Sequence, residues 1–419
     1  MTQLARRLTL VDAVGLGLGS MVGAGVFAVF APAAAAAGGG LFVGLALAAF
    51  VAFANATSSA QLAAVHPTSG GTYVYGRAEL GPWWGFLAGW GFVVGKTASC
   101  AAMALTFAAY AVPDGPWQRP AAALAVVGLA AVNYHGITRT AGLTRVIVVA
   151  VLAVLALVVA TTLSATDAAA WASVRLDAAT PYGVLQSAGL LFFAFAGYAR
   201  IATLGEEVVD PARTIPRAIT LALGLAVAVY VAVGVGVVGV LGLDGLAATS
   251  TPLATAVTAA GHPWLEPAVR AGGALASLGA LLALIAGVGR TALAMAREGD
   301  LPATLAAVHP RHRVPHHAEV ALAAVVVALV LLVDLRGAVG FSSFGVLLYY
   351  AVANLAAFRQ ASGRRYPRWL QVAGLALCVT LVATLPWQSV AAGAAVFALG
   401  VAYRAARLGR QSSRASGST

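Results

Sequence analysis

The chain predicts an all-α polytopic membrane protein, and three observations predict it. Of 419 residues, 61% are hydrophobic and 9% are charged, against about 25% charged in a soluble domain. Apolar runs long enough to cross a bilayer, which needs about 20 residues, recur along the whole chain. The charge is lopsided at +11, with the basic residues at the ends of the apolar runs, a pattern that points to a membrane rather than to nucleic acid.

Runs separated by Pro, Gly or charged residues give twelve spans, at about 10–36, 40–65, 83–112, 120–135, 143–164, 182–207, 217–243, 265–296, 319–334, 338–358, 369–385 and 388–404. Spans four and nine are among the shortest. With the N-terminus in the cytoplasm, the inner segments hold eighteen arginines and the outer ones four, namely Arg119, Arg175, Arg270 and Arg336. That excess sets the orientation and, the span count being even, puts both termini inside. The connections are too short for a separate soluble domain. Residues 1–419 therefore read as one transmembrane domain with a polar, disordered tail at 411–419. The first apolar run exceeds the roughly 7–15 residues of a cleavable signal core, so it is expected to stay. Cys100 and Cys378 both fall in apolar runs, which suits small buried hydrophobes and neither a disulfide framework nor a metal site.

Two spans have the wrong composition for plain helices. The first carries Gly15, Gly17, Gly19, Gly23 and Gly25, each costing about 1 kcal/mol of helix propensity relative to alanine. A broken helix is tolerated at membrane depth only where protein or a wet cavity satisfies the freed backbone. The stretch reads as a helix interrupted at a site; the other reading is close small-residue packing against a second helix. The sixth span has Phe192-Phe193-Ala194-Phe195-Ala196-Gly197-Tyr198 in its middle. Interruptions at corresponding places in two halves are the sequence pointer to an inverted-repeat secondary transporter with a midplane site.

Four stretches, in order, resemble the amino acid–polyamine–organocation superfamily of permeases. They are Gly19-Ser20-Met21-Val22-Gly23-Ala24-Gly25-Val26-Phe27; His66-Pro67-Thr68-Ser69-Gly70-Gly71-Thr72-Tyr73-Val74-Tyr75; Glu206-Glu207-Val208-Val209-Asp210-Pro211 with Ile215-Pro216-Arg217-Ala218-Ile219; and Arg290 with Ala294-Met295-Ala296-Arg297-Glu298-Gly299-Asp300-Leu301-Pro302. The resemblance covers almost the whole chain. It implies a leucine-transporter-type fold: a first repeat at 1–164, an inverted second repeat at 182–358, and two additional helices at 369–404.

In such a fold, freed N–H groups among Met21, Val22, Gly23, Ala24 and Gly25 would hold a substrate carboxylate, because half-helix N-termini carry partial positive charge. Freed carbonyls between Phe193 and Gly197 would accept from its ammonium group. Phe195 and Tyr198 either cover the substrate side chain or pack between helices. Lys96 is the chain's only lysine. It lies about twelve residues from Trp84 at the membrane edge, hence near mid-membrane at about 1.5 Å per residue. Unlike arginine, lysine can give up its proton when desolvated, which makes it a candidate proton carrier. The structural alternative is a lysine held by carbonyls or by the hydroxyls of Thr97 and Ser99. Some proton-coupled relatives carry a lysine in span five, where this chain has Val146-Ile147-Val148-Val149-Ala150-Val151.

Arg200 faces the substrate or a gate, or pairs with Glu207 two turns on. Glu206 and Glu207 are candidates for conformational salt bridges at the inner end of span six, and Arg290 either snorkels or forms an inner gate. Every acidic residue falls in a loop or at a span end. A cationic substrate side chain would therefore lack a mid-membrane partner, and small neutral amino acids are favoured over it, with acidic ones next. Ser277 alone is thin support for a sodium site. The expected function is amino acid transport across the plasma membrane by alternating access, proton-coupled or exchanging, with export by the same fold or a channel as alternatives. No HExxH, GxSxG or paired mid-membrane carboxylates mark an enzyme, and no cofactor or metal motif is present.

Overall fold

In the computed structural model the described residues are 8–66, 70–136, 140–172, 174–198, 201, 207–416; side chains are described except at 140–145, 172 and 410–416. They form α1 Leu10–Met21, α2 Ala24–Ala28, α3 Phe30–Ala37, α4 Leu41–Val65, α5 Thr72–Leu80, α6 Pro82–Ala111, α7 Gln118–Tyr134, α8 Thr140–Ser164 and α9 Ala168–Ala172. The second half follows as α10 Pro181–Phe195, α11 Pro211–Ala248, α12 Pro252–Ala259, α13 Glu266–Arg297, α14 His316–Leu332, α15 Leu335–Arg359, α16 Arg368–Thr384 and α17 Trp387–Ser416. Among the described residues there is no β-strand beyond one isolated parallel bridge between Leu8 and Val208.

Among the described residues, eight helical stretches are long and apolar enough to cross a membrane, and nine if the bent pair ending at Tyr198 counts as one span. Helix falls within each of the twelve stretches expected from the sequence, but among the described residues fewer than twelve are long and apolar enough to count as spans. Three helices, α7, α14 and α16, have 17 residues each, about 26 Å at 1.5 Å per residue and at the lower limit for a span. Helix α11 continues to Ala248, with Gly242 at φ 66° breaking its regularity. Helix α17 runs on through 411–416, the first part of the stretch expected to be disordered. Adding residues to an existing helix fixes one residue per hydrogen bond, far cheaper than nucleation.

The innermost helices are α6 and α15; α8 and α17 lie at the periphery. Helix α6 packs along α15 on one side and α13 on the other, while α4 lies against α10 and α11. Small residues permit this. A Cβ on Gly95 would come within 2.9 Å of the Val346 amide, and one on Gly345 within 2.7 Å of the Gly91 carbonyl, so α6 and α15 meet backbone to backbone. Helix α5, in a stretch expected only as a connection, is bounded by Gly71 (φ 58°) and Gly81 (φ 103°), conformations that glycine adopts without steric cost.

Candidate functional site

Both expected interruptions are present. The first helix stops at Met21. Val22 closes its last turn onto the Leu18 carbonyl at 2.7 Å, and Gly23 (φ −58°, ψ −134°) leaves the helical region before α2 begins. A second irregularity falls at Val29, before α3, because Pro32 has no N–H to offer the Ala28 carbonyl and crowds it. The sixth span ends as an α-helix at Phe195 and tightens into a 3-10 turn over Ala196–Tyr198.

The two breaks pack against each other. A Cβ on Gly197 would lie 2.3 Å from the Ser20 carbonyl oxygen and 2.7 Å from the Met21 nitrogen; one on Gly25 would lie 2.7 Å from the Ala194 Cα. Each break thus presses a bare glycine against the backbone of the other. Gly23 approaches α13 instead, with a hypothetical Cβ 3.2 Å from that of Ala280. Small residues therefore serve both readings of the glycine stretch at once: they pack closely, and they do so at an interruption.

The backbone groups freed by the breaks find side-chain donors on other helices. Tyr230 of α11 places its hydroxyl 2.6 Å from the Met21 carbonyl and 2.9 Å from that of Ala194, one proton shared between an acceptor of each break. Its ring meets Phe195 edge-on at 4.9 Å. Tyr110 of α6 donates to the Phe27 carbonyl at 3.2 Å, and its ring packs on Phe27. Lys96 is buried, and its Nζ donates to the Ala196 carbonyl in the second break at 3.3 Å. Thr97 and Ser99 do not hold it: Thr97 donates to Val93, and Ser99 contacts the Gly95 carbonyl and Ser342.

The other expected residues are placed as follows. Met21, Val22, Ala24 and Gly25 are buried around the first break, and Phe193 is buried beside the second. Phe195 turns onto Tyr230, and Tyr198 stacks on Tyr350 with ring centroids 5.1 Å apart. Ser277 donates to Gly273 of its own helix at 2.7 Å. Arg290 is exposed on α13 and lies in the electrostatic neighbourhood of Glu319 on α14, away from the breaks. Glu207 contributes its backbone: its carbonyl accepts from Leu8 at 3.0 Å, and the Val209 amide donates to Leu8 at 3.0 Å. Arg200 and Glu206 lie outside the described residues.

One arrangement escaped the sequence reading. Asp300, buried just past α13, accepts from Tyr73 at 2.9 Å and from Arg77 at 3.1 Å, and pairs with Arg404 of α17. Arg404 is itself buried, its guanidinium over the rings of Trp83 and Phe86 at 5.0 and 4.8 Å. Arg77 also reaches Glu298 at 3.1 Å. Burial and the Asp300 carboxylate together push the Tyr73 phenol above its ordinary range. This network ties α5, the end of α13 and α17 together on the arginine-rich face. The clue available was that Arg77 and Asp300 both fall within the family-like stretches; nothing local pointed to Arg404.

Comparison with known proteins agrees with this architecture. A family model described as amino acid permease matches residues 8–404. An uncharacterized transporter of Mycobacterium tuberculosis is 59% identical over 405 residues, covering 96% of this chain and 91% of its own. A branched-chain amino acid permease of Bacillus subtilis is 25% identical over 425 residues, with 92% and 90% covered. Cationic amino acid transporter 4 of Homo sapiens is 28% identical over 378 residues, with 83% and 59% covered. The chain belongs to the amino acid permease family of the amino acid–polyamine–organocation superfamily, and it is a multi-pass membrane transporter, not an enzyme.

Proposed function

We propose that the chain is a secondary transporter that moves small neutral amino acids across the plasma membrane by alternating access, with protons as the coupling ion. The observation that carries this reading is the junction of the two breaks, with Lys96 donating to the Ala196 carbonyl. In this reading twelve spans cross the membrane, residues 1–164 and 182–358 are inverted repeats, two helices follow, and both termini are cytoplasmic. The amides of Gly23, Ala24 and Gly25 at the start of α2 take the substrate carboxylate, since the first N–H groups of a half-helix have no intrahelical partner, whereas that of Val22, expected from the sequence to take part, is spent on the Leu18 carbonyl. The carbonyls between Phe193 and Gly197 take the ammonium group. Lys96 competes with that ammonium group for the Ala196 carbonyl, so protonating it and binding substrate are linked.

Two relatives are named for branched-chain and for cationic amino acids. Among the described residues, the charged side chain that reaches a break is the cation of Lys96, which disfavours a second cation beside it. Purified protein in liposomes, assayed with labelled amino acids with and without an inward proton gradient, tests the proposal. Exchange of alanine-sized or branched substrates against protons is expected, so that an inward proton gradient lowers uptake and drives efflux of loaded substrate, because protonated Lys96 and the substrate ammonium compete for one carbonyl. Failure to accumulate or exchange any amino acid refutes it. Uptake by Lys96→Ala that is undiminished and still pH-dependent removes Lys96 from the mechanism while leaving transport standing.

A further inference from the structure

Away from the breaks, α4, α15 and α16 bury an unusual run of polar side chains. Asn354 Nδ2 donates to Asn55 Oδ1 at 2.6 Å, Ser58 donates to Asn354 Oδ1 at 2.7 Å, and Cys378 Sγ lies 3.3 Å from Asn55 Oδ1. Room for the two asparagines comes from Gly374, where a Cβ would stand 2.7 Å from Asn354 Oδ1. Nearer the arginine-rich face, Gln61 Nε2 donates to Gln360 Oε1 at 2.8 Å, and Gln61 Oε1 accepts from the Arg365 and Tyr366 amides at 3.0 and 3.1 Å. At the deep end, Tyr350, one turn before Asn354, stacks on Tyr198 of the second break.

The hydrogen bonding along this seam is incomplete. Asn55 Nδ2, Ser59 Oγ, Gln360 Nε2 and both polar atoms of Gln371 are buried without a hydrogen-bond partner. Their residues are 0–3% exposed. Gln371 lies on the same face of α16 as Gly374 and Cys378, by their spacing of three and four residues. Native proteins rarely leave such groups unsatisfied, and where several converge in a polar site ordered water supplies the missing bonds.

We propose that this seam is a water-binding site, a file of internal water between α4, α15 and α16 that connects the arginine-rich face with Tyr350 and the back of the second break. From Gln360 to Tyr350 it covers about 15 Å of helix at about 1.5 Å per residue. Use of the file by a coupling proton would rest on the transport function proposed above; occupancy by water does not.

The test is radiolytic hydroxyl-radical footprinting of the full chain in detergent and 18O-labelled water, without substrate. Modification at Cys378 and Tyr350, corrected for intrinsic reactivity, is expected to exceed by several-fold that at Met295, which is equally buried but faces Tyr73 and Gly89. Rates no higher than that of Met295 overturn the proposal. Gln371→Leu gives a second readout. In a dry seam it removes two unsatisfied atoms and raises the melting temperature; in a wet one it displaces bonded water, and the melting temperature stays level or falls. A rise therefore overturns the proposal, and the result stands whether or not the protein proves to transport amino acids.

Discussion

Gly197→Ala tests the junction of the breaks directly. The new Cβ would sit 2.3 Å from the Ser20 carbonyl oxygen, 2.4 Å from the Ser20 carbonyl carbon and 2.7 Å from the Met21 nitrogen. All three are backbone atoms, so no rotamer change relieves them. Reaching ordinary van der Waals contact requires the two breaks to separate by about 1 Å. Overpacking of this kind costs about 1–3 kcal/mol, and a displacement of about 1 Å at a site can cost 10²-fold in rate. The variant should therefore melt several degrees lower and lose at least about tenfold in initial uptake rate in proteoliposomes, since part of that 10²-fold is recovered by relaxation. Gly287→Ala is the control: on α13 its Cβ meets nothing within 4 Å, and alanine gains roughly 1 kcal/mol of helix propensity. Wild-type uptake and melting for Gly197→Ala would refute the contact between the breaks.

Gly25→Ala should behave like Gly197→Ala, because its Cβ would lie 2.7 Å from the Ala194 Cα and 2.8 Å from the Ala194 Cβ. Tyr230→Phe leaves the Met21 and Ala194 carbonyls without their shared donor; a loss of about 1–3 kcal/mol is expected in thermal or denaturant unfolding, and unchanged stability would show that other donors take over. Arg404→Ala takes one of two arginine partners from the buried Asp300 carboxylate, Arg77 and Tyr73 remaining, and should cost about 1.5–3 kcal/mol. Adding Asp300→Ala should recover part of that loss in a double-mutant cycle, and strictly additive losses would contradict the pairing.

What the sequence reveals depends on how local the cause is. Glycine density marks the first break to within a residue or two of Val22 and Gly23, and a glycine among aromatics marks the second near Gly197, because backbone propensity acts over a single turn. The apolar runs reveal the helices for the same reason. The donors that serve the breaks are another matter. Lys96 stands out as a lone lysine, yet its partner at Ala196 lies 100 residues away, and Tyr230 carries no signal at all in a run of Val, Ala and Leu. Arg404 reads as one more inner arginine, and only the meeting of α17 with the end of α13 turns it into a buried ion-pair partner. Local periodicity cannot report which helices meet.

The bridge between Leu8 and the segment from Glu207 to Val209 bears on how far the molecule stands from a second conformation. It consists of two backbone hydrogen bonds, each contributing about 0.5–1.5 kcal/mol net. As far as this bridge alone is concerned, the undone form would be populated between about one molecule in six and one in 160. A ligand that binds only one of two forms shifts the balance by RT ln(1 + [L]/Kd), about 2.7 kcal/mol when it is present at about a hundred times its dissociation constant. The clasp at the start of the first helix is thus comparable in strength to the shift that a ligand held far above its dissociation constant can produce, and stronger than one near that constant can undo.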